Sequence, residues 1–161
     1  MNPQQNNLSL LNYKFKLSRA PTLEYRVQSV SIPGITLGSA DMPTPYGLRI
    51  PFSGNIAYDD LSVNFLVGEN LEDYLEIHRW MIANGYPDSL SQYPGQVKDT
   101  VSDVSVMILN SAMRGVVNVL FKDAFPVQLS SIDFDATLSE VQYAQATVTF
   151  RYNRYYFNPI E

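Results

Sequence analysis

"AQATVTFRYNRYYF", residues 144–157, is the stretch of sequence that decides the fold. Ala146, Val148 and Phe150 occupy every second position, and the residues between them are polar. This period of two is typical of a strand that buries one face and exposes the other. Because the same pattern recurs along most of the chain, the sequence predicts a mainly β protein.

Seven other segments carry the alternation, a run of β-branched residues, or both. They are residues 10–18, 23–32, 48–58, 60–68, 103–110, 115–125 and 125–137. The first two flank the short turn RAPT, and this spacing predicts an antiparallel hairpin between them. Since no repeat, low-complexity tract or linker divides the chain, we expect a single domain over residues 1–161, with seven or eight strands and one helix.

The segment "VQSVSIPGITLG", residues 27–38, ends a strand abruptly. Pro33 has no amide hydrogen to donate and Gly34 permits a turn, so the strand is predicted to stop there. Prolines and glycines continue beyond it, and they predict a long irregular loop over residues 33–48. Pro51 indicates that the following strand lies at a sheet edge.

Two further segments are predicted to be irregular. Residues 1–9 are polar and rich in Asn and Gln, which is typical of a terminal arm. Residues 86–102 contain Pro87, Pro94 and Gly95 and are expected to form a second loop.

The one predicted helix spans residues 71–84, with Asn70 as a favourable N-cap and Gly85 at the C′ position. Its polar stripe, expected to face solvent, consists of Glu72, Asp73, Glu76 and Arg79. Its apolar stripe consists of Leu71, Tyr74, Leu75, His78 and Ile82, widened by Ile77, Trp80 and Met81. A helix with so much apolar surface is expected to contact both the sheet and a neighbour.

The composition excludes some functions. The chain of 161 residues is 45% hydrophobic and 17% charged, which is typical of a globular domain large enough to bury a core. Its formal net charge is −5, whereas proteins that grip nucleic acid by its phosphates need a basic face. A negative surface would instead repel a polyanion.

The chain contains no cysteine, which excludes disulfides, thiolate metal sites and cysteine nucleophiles. The first residues lack the basic and apolar regions of a signal peptide, and no window is long and apolar enough for a membrane helix. We therefore expect a soluble intracellular domain.

The residues that carry chemistry do not form a recognisable catalytic site. His78 is the only histidine, and the chain has no G-x-S-x-G motif to mark a serine nucleophile. Asp133 and Asp135 share one face of a predicted strand, but no third oxygen donor is spaced to help them hold a cation. The sequence predicts no enzyme, no cofactor and no metal site.

The stretch "RYNRYYF", residues 151–157, interleaves tyrosine and arginine. Such a pattern can stack single-stranded bases, but the net acidity of the chain favours a strand face or a subunit contact.

The order of these features resembles a known family. "YKFKLS" is followed by "VQSVSIPGITLG", by "IPFSGNIAYDDLSVNFLVGENLEDYLEIHRWM", by "DAFPVQLSSIDFD" and by "EVQYAQATVTFRY". From about residue 12 to residue 152 this order closely resembles the tail tube proteins of contractile-tailed, T4-like bacteriophages. The resemblance implies an antiparallel β-sandwich or half-barrel with one flanking helix and a long inter-strand loop.

The resemblance also implies a structural function in the virion tail. Six copies would form a ring with a continuous inner β-barrel, and the rings would stack into a tube assembled in the host cytoplasm. DNA and the tape measure protein would pass through the tube without specific binding, and the sheath and baseplate would be further partners. Related proteins act at the baseplate end as hub parts or tube initiators and at the other end as terminators, and these alternatives stay open. No membrane is implied.

By position, the resemblance assigns subunit contacts to the loop over residues 33–51 and to the arm, while residues 153–161 extend beyond the last family strand. Ile35 and Leu37 then become anchors for a neighbouring subunit. The residues predicted at the subunit interface are Ile32, Pro33, Gly34, Ile35, Leu37, Met42, Pro43, Tyr46, Arg49, Pro51, Tyr155, Tyr156 and Phe157.

Two functions of other classes remain as alternatives. A monomeric β-sandwich could bind a glycan or a peptide on its tyrosine-rich face. An enzyme could be built around His78 and nearby carboxylates.

Overall fold

The structure is a computed structural model that describes residues 8–43, 45–85, 100–137 and 139–160. Over these residues the chain forms nine strands, one α-helix and a short 3₁₀ helix at Leu23–Tyr25. The strands are β1 (Tyr13–Leu17), β2 (Val27–Ser31), β3 (Ile35–Pro43), β4 (Arg49–Tyr58), β5 (Leu61–Leu66), β6 (Ser102–Leu109), β7 (Gly115–Leu129), β8 (Gln145–Arg151) and β9 (Arg154–Pro159). The helix, α1, spans Glu72–Gly85. None of the described helices is both long and apolar enough to cross a membrane.

Two antiparallel sheets share the long strand β7. Its first half pairs with β6 and β9, and its second half pairs with β8, so the orders are β1-β6-β7-β9 and β7-β8-β5-β2. The strand changes sheets near Asp123, which has a φ of 55° at an irregularity in the β6–β7 register. Such bulges bend a strand at the corner of a sandwich. Asp103 supports the corner because its carboxylate accepts the backbone N–H of Asp123.

The strands bury alternate residues in one core, as their sequence alternation predicts. β5 and β8 do so most regularly. Fully buried side chains of the core include Leu17, Leu61, Val63, Phe65, Val104, Val119, Phe121, Val148 and Phe150. The helix α1 packs on β7 and adds Ile77 and Trp80 to this core. The indole N–H of Trp80 donates to the carbonyl of Thr100 at 2.9 Å. The predicted fold class, mainly β with antiparallel sheets and one helix, is confirmed.

The predicted hairpin between residues 10–18 and 23–32 is wrong. β1 pairs with β6 and β2 pairs with β5, at opposite ends of the strand order. The chain between them turns as a 3₁₀ helix that buries Leu23. The carboxylate of Glu24 then accepts the backbone N–H of Leu17 at 3.0 Å, so a side chain takes an edge amide of β1.

The predicted irregular loop over residues 33–48 is also wrong, because most of it is strand β3. β3 pairs with β4 in a separate two-stranded sheet, and residues 45–48 lie at the tip, with Gly47 at a φ of 76°. The register shifts at Gly38, where the strands come close enough that a Cβ on Gly54 would stand 3.1 Å from the Gly38 carbonyl. The apolar residues of β3 change from odd to even positions at this point, so the sequence shows no continuous alternation.

Two strand predictions need new boundaries. The segments 115–125 and 125–137 form one strand up to Leu129, and Phe134 beyond it is exposed outside any strand. The segment 144–157 is two strands, because the chain breaks at Tyr152 and Asn153 and returns as β9 to pair with β7. The predicted N-terminal arm, except for residues 8–9, and most of the predicted loop 86–102 lie outside the described residues.

The helix faces the core with a different side from the one predicted. Leu75, His78 and Ile82 of the predicted apolar stripe are exposed, whereas Asp73 of the predicted polar stripe is 2% exposed. The helix begins at Glu72, and the backbone N–H of Leu75 donates to the carbonyl of Leu71, so Leu71 rather than Asn70 takes the N-cap position. The side chain of Asp73 accepts the N–H of Gly68.

Candidate functional site

The hairpin formed by β3 and β4 is exposed along its whole length. Four of its cross-strand pairs set apolar residues of the two strands opposite each other. The pairs are Ile35 with Tyr58, Leu37 with Ile56, Ala40 with Phe52, and Met42 with Ile50. Because the extra residue at the register shift lies in β4, the first two pairs and the last two lie on opposite sides of the hairpin. We call the exposed surface of these eight residues the apolar hairpin face.

The remaining cross-strand pairs are small or polar. They are Thr36 with Ala57, Ser39 with Ser53, Asp41 with Pro51, and Pro43 with Arg49. Each half of the hairpin therefore has one apolar side and one small or polar side. Within the described part of the chain, however, β3 and β4 make extensive contacts only with each other.

An isolated two-stranded hairpin is marginally stable in water, and leaving large apolar side chains exposed forfeits about 1.5–3 kcal/mol for each. Large apolar residues grouped and exposed in this way on an otherwise well-packed domain are typical of a protein–protein contact. The apolar hairpin face therefore has the character of a surface that another chain covers.

The hairpin is attached to the domain at its two roots. The hydroxyl of Tyr155 donates to the carbonyl of Pro33 at 3.2 Å, and the hydroxyl of Tyr152 donates to the carbonyl of Asp59 at 2.8 Å. Pro33 and Gly34 precede β3 and Asp59 follows β4, and the N–H of Asp59 donates to the carbonyl of Gly34 at 3.1 Å. Both ends of the hairpin are thus bonded to the segment where β8 passes into β9.

The two tyrosines belong to an aromatic cluster. The ring of Tyr155 lies 5.6 Å from Tyr58, 5.3 Å from Phe121 and 5.4 Å from Phe157, centroid to centroid. Tyr152 lies 5.0 Å from Phe121, edge to face. Burial, assisted by the neighbouring Tyr155 phenol and the Asp59 carboxylate, raises the pKa of Tyr152 above its ordinary value of 10.0.

The predicted interface residues fall into two groups. Most are exposed just before the hairpin, on it or on β9: Ile32, Gly34, Ile35, Leu37, Met42, Pro43, Tyr46, Arg49, Pro51, Tyr156 and Phe157. Pro33 is buried and Tyr155 is half-buried, and the hydroxyl of Tyr155 donates to the carbonyl of Pro33 at the hairpin root. Their interface roles stay predictions, and the contacts they make are within the chain.

The β4 residues of the apolar hairpin face were not predicted as contact residues from the sequence. Ile50, Phe52, Ile56 and Tyr58 carry it, and all four stand at even positions of one strand. That spacing indicates a strand with apolar residues at every second position, although Gly54 interrupts it.

The other candidate groups are dispersed. His78 is exposed on the outer side of α1, in a shallow groove with Arg19 and Leu75. Asp135 accepts hydrogen bonds from the side chain and the backbone of Thr137, which lower the pKa of its carboxyl. Asp135 thus stabilises a local turn. Among the residues that the structure describes, no group of three or more His, Asp or Glu side chains is placed to hold a metal ion.

The fold is thus a small β-sandwich that exposes a long hairpin. The family model "Phage tail tube protein" matches residues 4–158, and the chain belongs to this family. The predicted family is thereby confirmed, and with it a structural component of phage tails and contractile injection systems.

A relative from Enterobacteria phage T4, the "Tail tube terminator protein", is 31% identical over 129 residues, which cover 78% of this chain and 72% of that protein. The fold is similar to a chain of the sheath-tube complex of an extracellular contractile injection system, PVC, with a TM-score of 0.72 and 16% identity over 98% of this chain and 95% of that one. It is also similar to the tube terminating cap of the anti-feeding prophage, with a TM-score of 0.71 and 19% identity over 99% and 100% of the two chains.

Proposed function

We propose that this protein is the subunit of a ring that terminates the tail tube of a contractile tail. The observation that carries the proposal is the apolar hairpin face, which a single copy leaves exposed along two whole strands. The relative named as a tail tube terminator favours this role over that of the repeating tube subunit, which the sequence alone had placed first.

Copies of one chain cover such a face most simply in a closed ring, where each hairpin lies on the next subunit. Six copies are the number that the family resemblance implies. The outer edges of β1, β2 and β9 end the two sheets, and a neighbour in the ring would cover edges that otherwise invite aggregation.

The terminating role requires two different ring surfaces. One must match the last ring of the tube, and the other must not accept a further tube ring, or growth would continue. The net charge of −5 suits a ring through which DNA passes without binding. The sheath, the tape measure protein and the baseplate remain proposed partners of the assembled tail.

The test is the addition of purified protein to growing tubes of the tail tube protein from the same tail. A terminator shortens the tubes when about one ring is added for each tube. Gold-labelled antibody against it then marks a single end of each tube in electron micrographs. Bovine serum albumin at equal concentration controls for crowding. Label distributed along the tubes would show a repeating tube subunit instead, and label at the end that joins the baseplate would show an initiator.

A monomer that binds glycans or peptides on its tyrosines has less support. Tyr152 and Tyr155 direct their hydroxyls to backbone carbonyls and pack their rings against Phe121, so neither offers an open stacking surface.

A further inference from the structure

Two hydroxyl groups bond the two ends of the hairpin to the same segment of the domain. Tyr152 and Tyr155 stand three residues apart, where β8 passes into β9. Tyr155 bonds the carbonyl that precedes β3, and Tyr152 bonds the carbonyl that follows β4. A rigid body attached at both strand ends cannot rotate about either one alone.

The root is also closely packed. A Cβ on Gly34 would stand 2.9 Å from a carboxylate oxygen of Asp59, so the two ends of the hairpin lie close together there. Tyr58, the last residue of β4, lies 6.1 Å from Tyr152 and 5.6 Å from Tyr155 by ring centroids. Phe121 of the core contacts both of these tyrosines, so the root is continuous with the buried core.

The hairpin amplifies small rotations at this root. A nine-residue strand such as β3 is about 30 Å long, so a swing of about 15° at the root moves the tip by about 8 Å. Within the described residues, the other elements make no extensive contact with the hairpin that would stop such a swing.

We propose that Tyr152 and Tyr155 form a latch that fixes the direction of the hairpin in the free subunit, so that the apolar hairpin face is aimed before assembly. The latch rests on the proposed function only where it concerns docking. Its effect on the hairpin belongs to the single subunit and is measured there. Pre-aiming removes part of the ordering cost of association, and it therefore accelerates and strengthens docking.

The test uses the absence of native cysteines. Spin labels on Tyr46→Cys at the hairpin tip and Lys16→Cys on β1 report the distance between hairpin and sheet by pulsed electron resonance. We compare the parent with the double variant Tyr152→Phe/Tyr155→Phe, which keeps both rings and removes both hydroxyls. The matched control is Tyr143→Phe, because the ring of Tyr143 is exposed shortly before β8 and the residue is not among the predicted interface residues.

We expect a narrow distance distribution in the parent and in the control, and a distribution broadened by several ångströms in the double variant. Circular dichroism should show the same folded sheet in all three proteins. In unlabelled form, the double variant should dock to tube ends at least about tenfold more weakly than the control.

An unchanged distribution in the double variant would overturn the latch. A broadened distribution with undiminished docking would overturn its role in aiming the hairpin. If the parent itself docks to no tube, the proposed function fails, and the distance distributions still decide whether the tyrosines fix the hairpin.

Discussion

The Nε of Arg26 lies 3.0 Å from the Oδ2 of Asp73, and the two side chains are unequally exposed, 48% for the arginine and 3% for the aspartate. The same carboxylate oxygen accepts the N–H of Gly68 at 3.2 Å. Asp73 lies in the first turn of α1 and Arg26 directly precedes β2. The pair therefore joins the start of the helix to the edge of the second sheet.

This asymmetry predicts unequal costs of breaking the pair. Arg26→Met leaves a buried carboxylate with one backbone donor, and we expect it to lower the free energy of unfolding by about 2–3 kcal/mol, less than for a fully buried pair because the arginine is half exposed. Asp73→Asn keeps an oxygen for Gly68 and removes the buried charge, so its cost should be about 1 kcal/mol. Urea unfolding at neutral pH measures both.

The control for this comparison is Asp60→Asn. Asp60 pairs with Arg151 at 3.3 Å, and both side chains of that pair are well exposed, so its loss should cost less than about 1 kcal/mol. Equal costs for Arg26→Met and Asp73→Asn would contradict the importance of the buried charge.

The raised pKa of Tyr152 predicts a loss of stability at high pH. Its pKa is raised in the folded protein by burial first and by Tyr155 and Asp59 next, whereas the phenol of the unfolded chain ionises near pH 10.0. The unfolded state therefore releases this proton first, and the contribution is complete below pH 10 and is lost as the pH rises above it. When the pH is raised from 9 to 11, the free energy of unfolding of Tyr152→Phe should fall by up to about 1 kcal/mol less than that of the parent.

Urea unfolding at several values between pH 9 and pH 11 measures this difference. Tyr25→Phe is the control because Tyr25 is almost fully exposed on the 3₁₀ helix. Parallel pH profiles for the parent and Tyr152→Phe would contradict the prediction.

Alternation identified the strands whose two faces have different environments within this chain. The segments 60–68 and 144–151 were recognisable because β5 and β8 bury every second residue in the core. Strand partners were less predictable. β1 and β2 are close in sequence, but β1 pairs with residues about 90 positions away, and no local pattern reports such a choice.

The hairpin and the helix face were missed for physical reasons. At Gly38 the apolar residues of β3 change from odd to even positions, and within the described residues no other element makes extensive contact with the apolar hairpin face. In α1, apolar residues occupy more than one face, and the buried side includes Asp73 because Arg26 neutralises it. Of the hairpin, Ile35, Leu37 and Met42 were predicted as contact residues from sequence, and the β4 residues opposite them were not.

Excision of the hairpin should leave the domain folded. Residues 36–57 can be replaced by Asn-Gly, which keeps Ile35, Tyr58 and the bond from Asp59 to Gly34. Deletion of residues 36–48 alone would leave β4 without its partner. Because the hairpin buries little against the rest of the described chain, the unfolding midpoint in urea should change only slightly.

Circular dichroism and urea unfolding test the fold of this variant, and docking to tube ends tests assembly, which should be abolished. Loss of the sheet signal would show that the hairpin belongs to the core of the single subunit. Full docking without the hairpin would show that another surface holds the ring.

The two sides of the hairpin root predict different effects on docking when the same substitution is made at neighbouring residues. At the root of the hairpin, Ile35 lies on the apolar side and Thr36 on the small or polar side, and both are exposed in the single subunit. Ile35→Asp and Thr36→Asp should each change the free energy of unfolding by about 0.5 kcal/mol or less. Burying the aspartate of Ile35→Asp on a neighbour should weaken docking about 10- to 100-fold, since the isoleucine contributes about 1.5–3 kcal/mol there. Thr36→Asp should dock almost as the parent does, in the same tube-end assay with thermal unfolding as the check on folding. Equal losses of docking for both variants would contradict a hairpin that is covered on its apolar face alone.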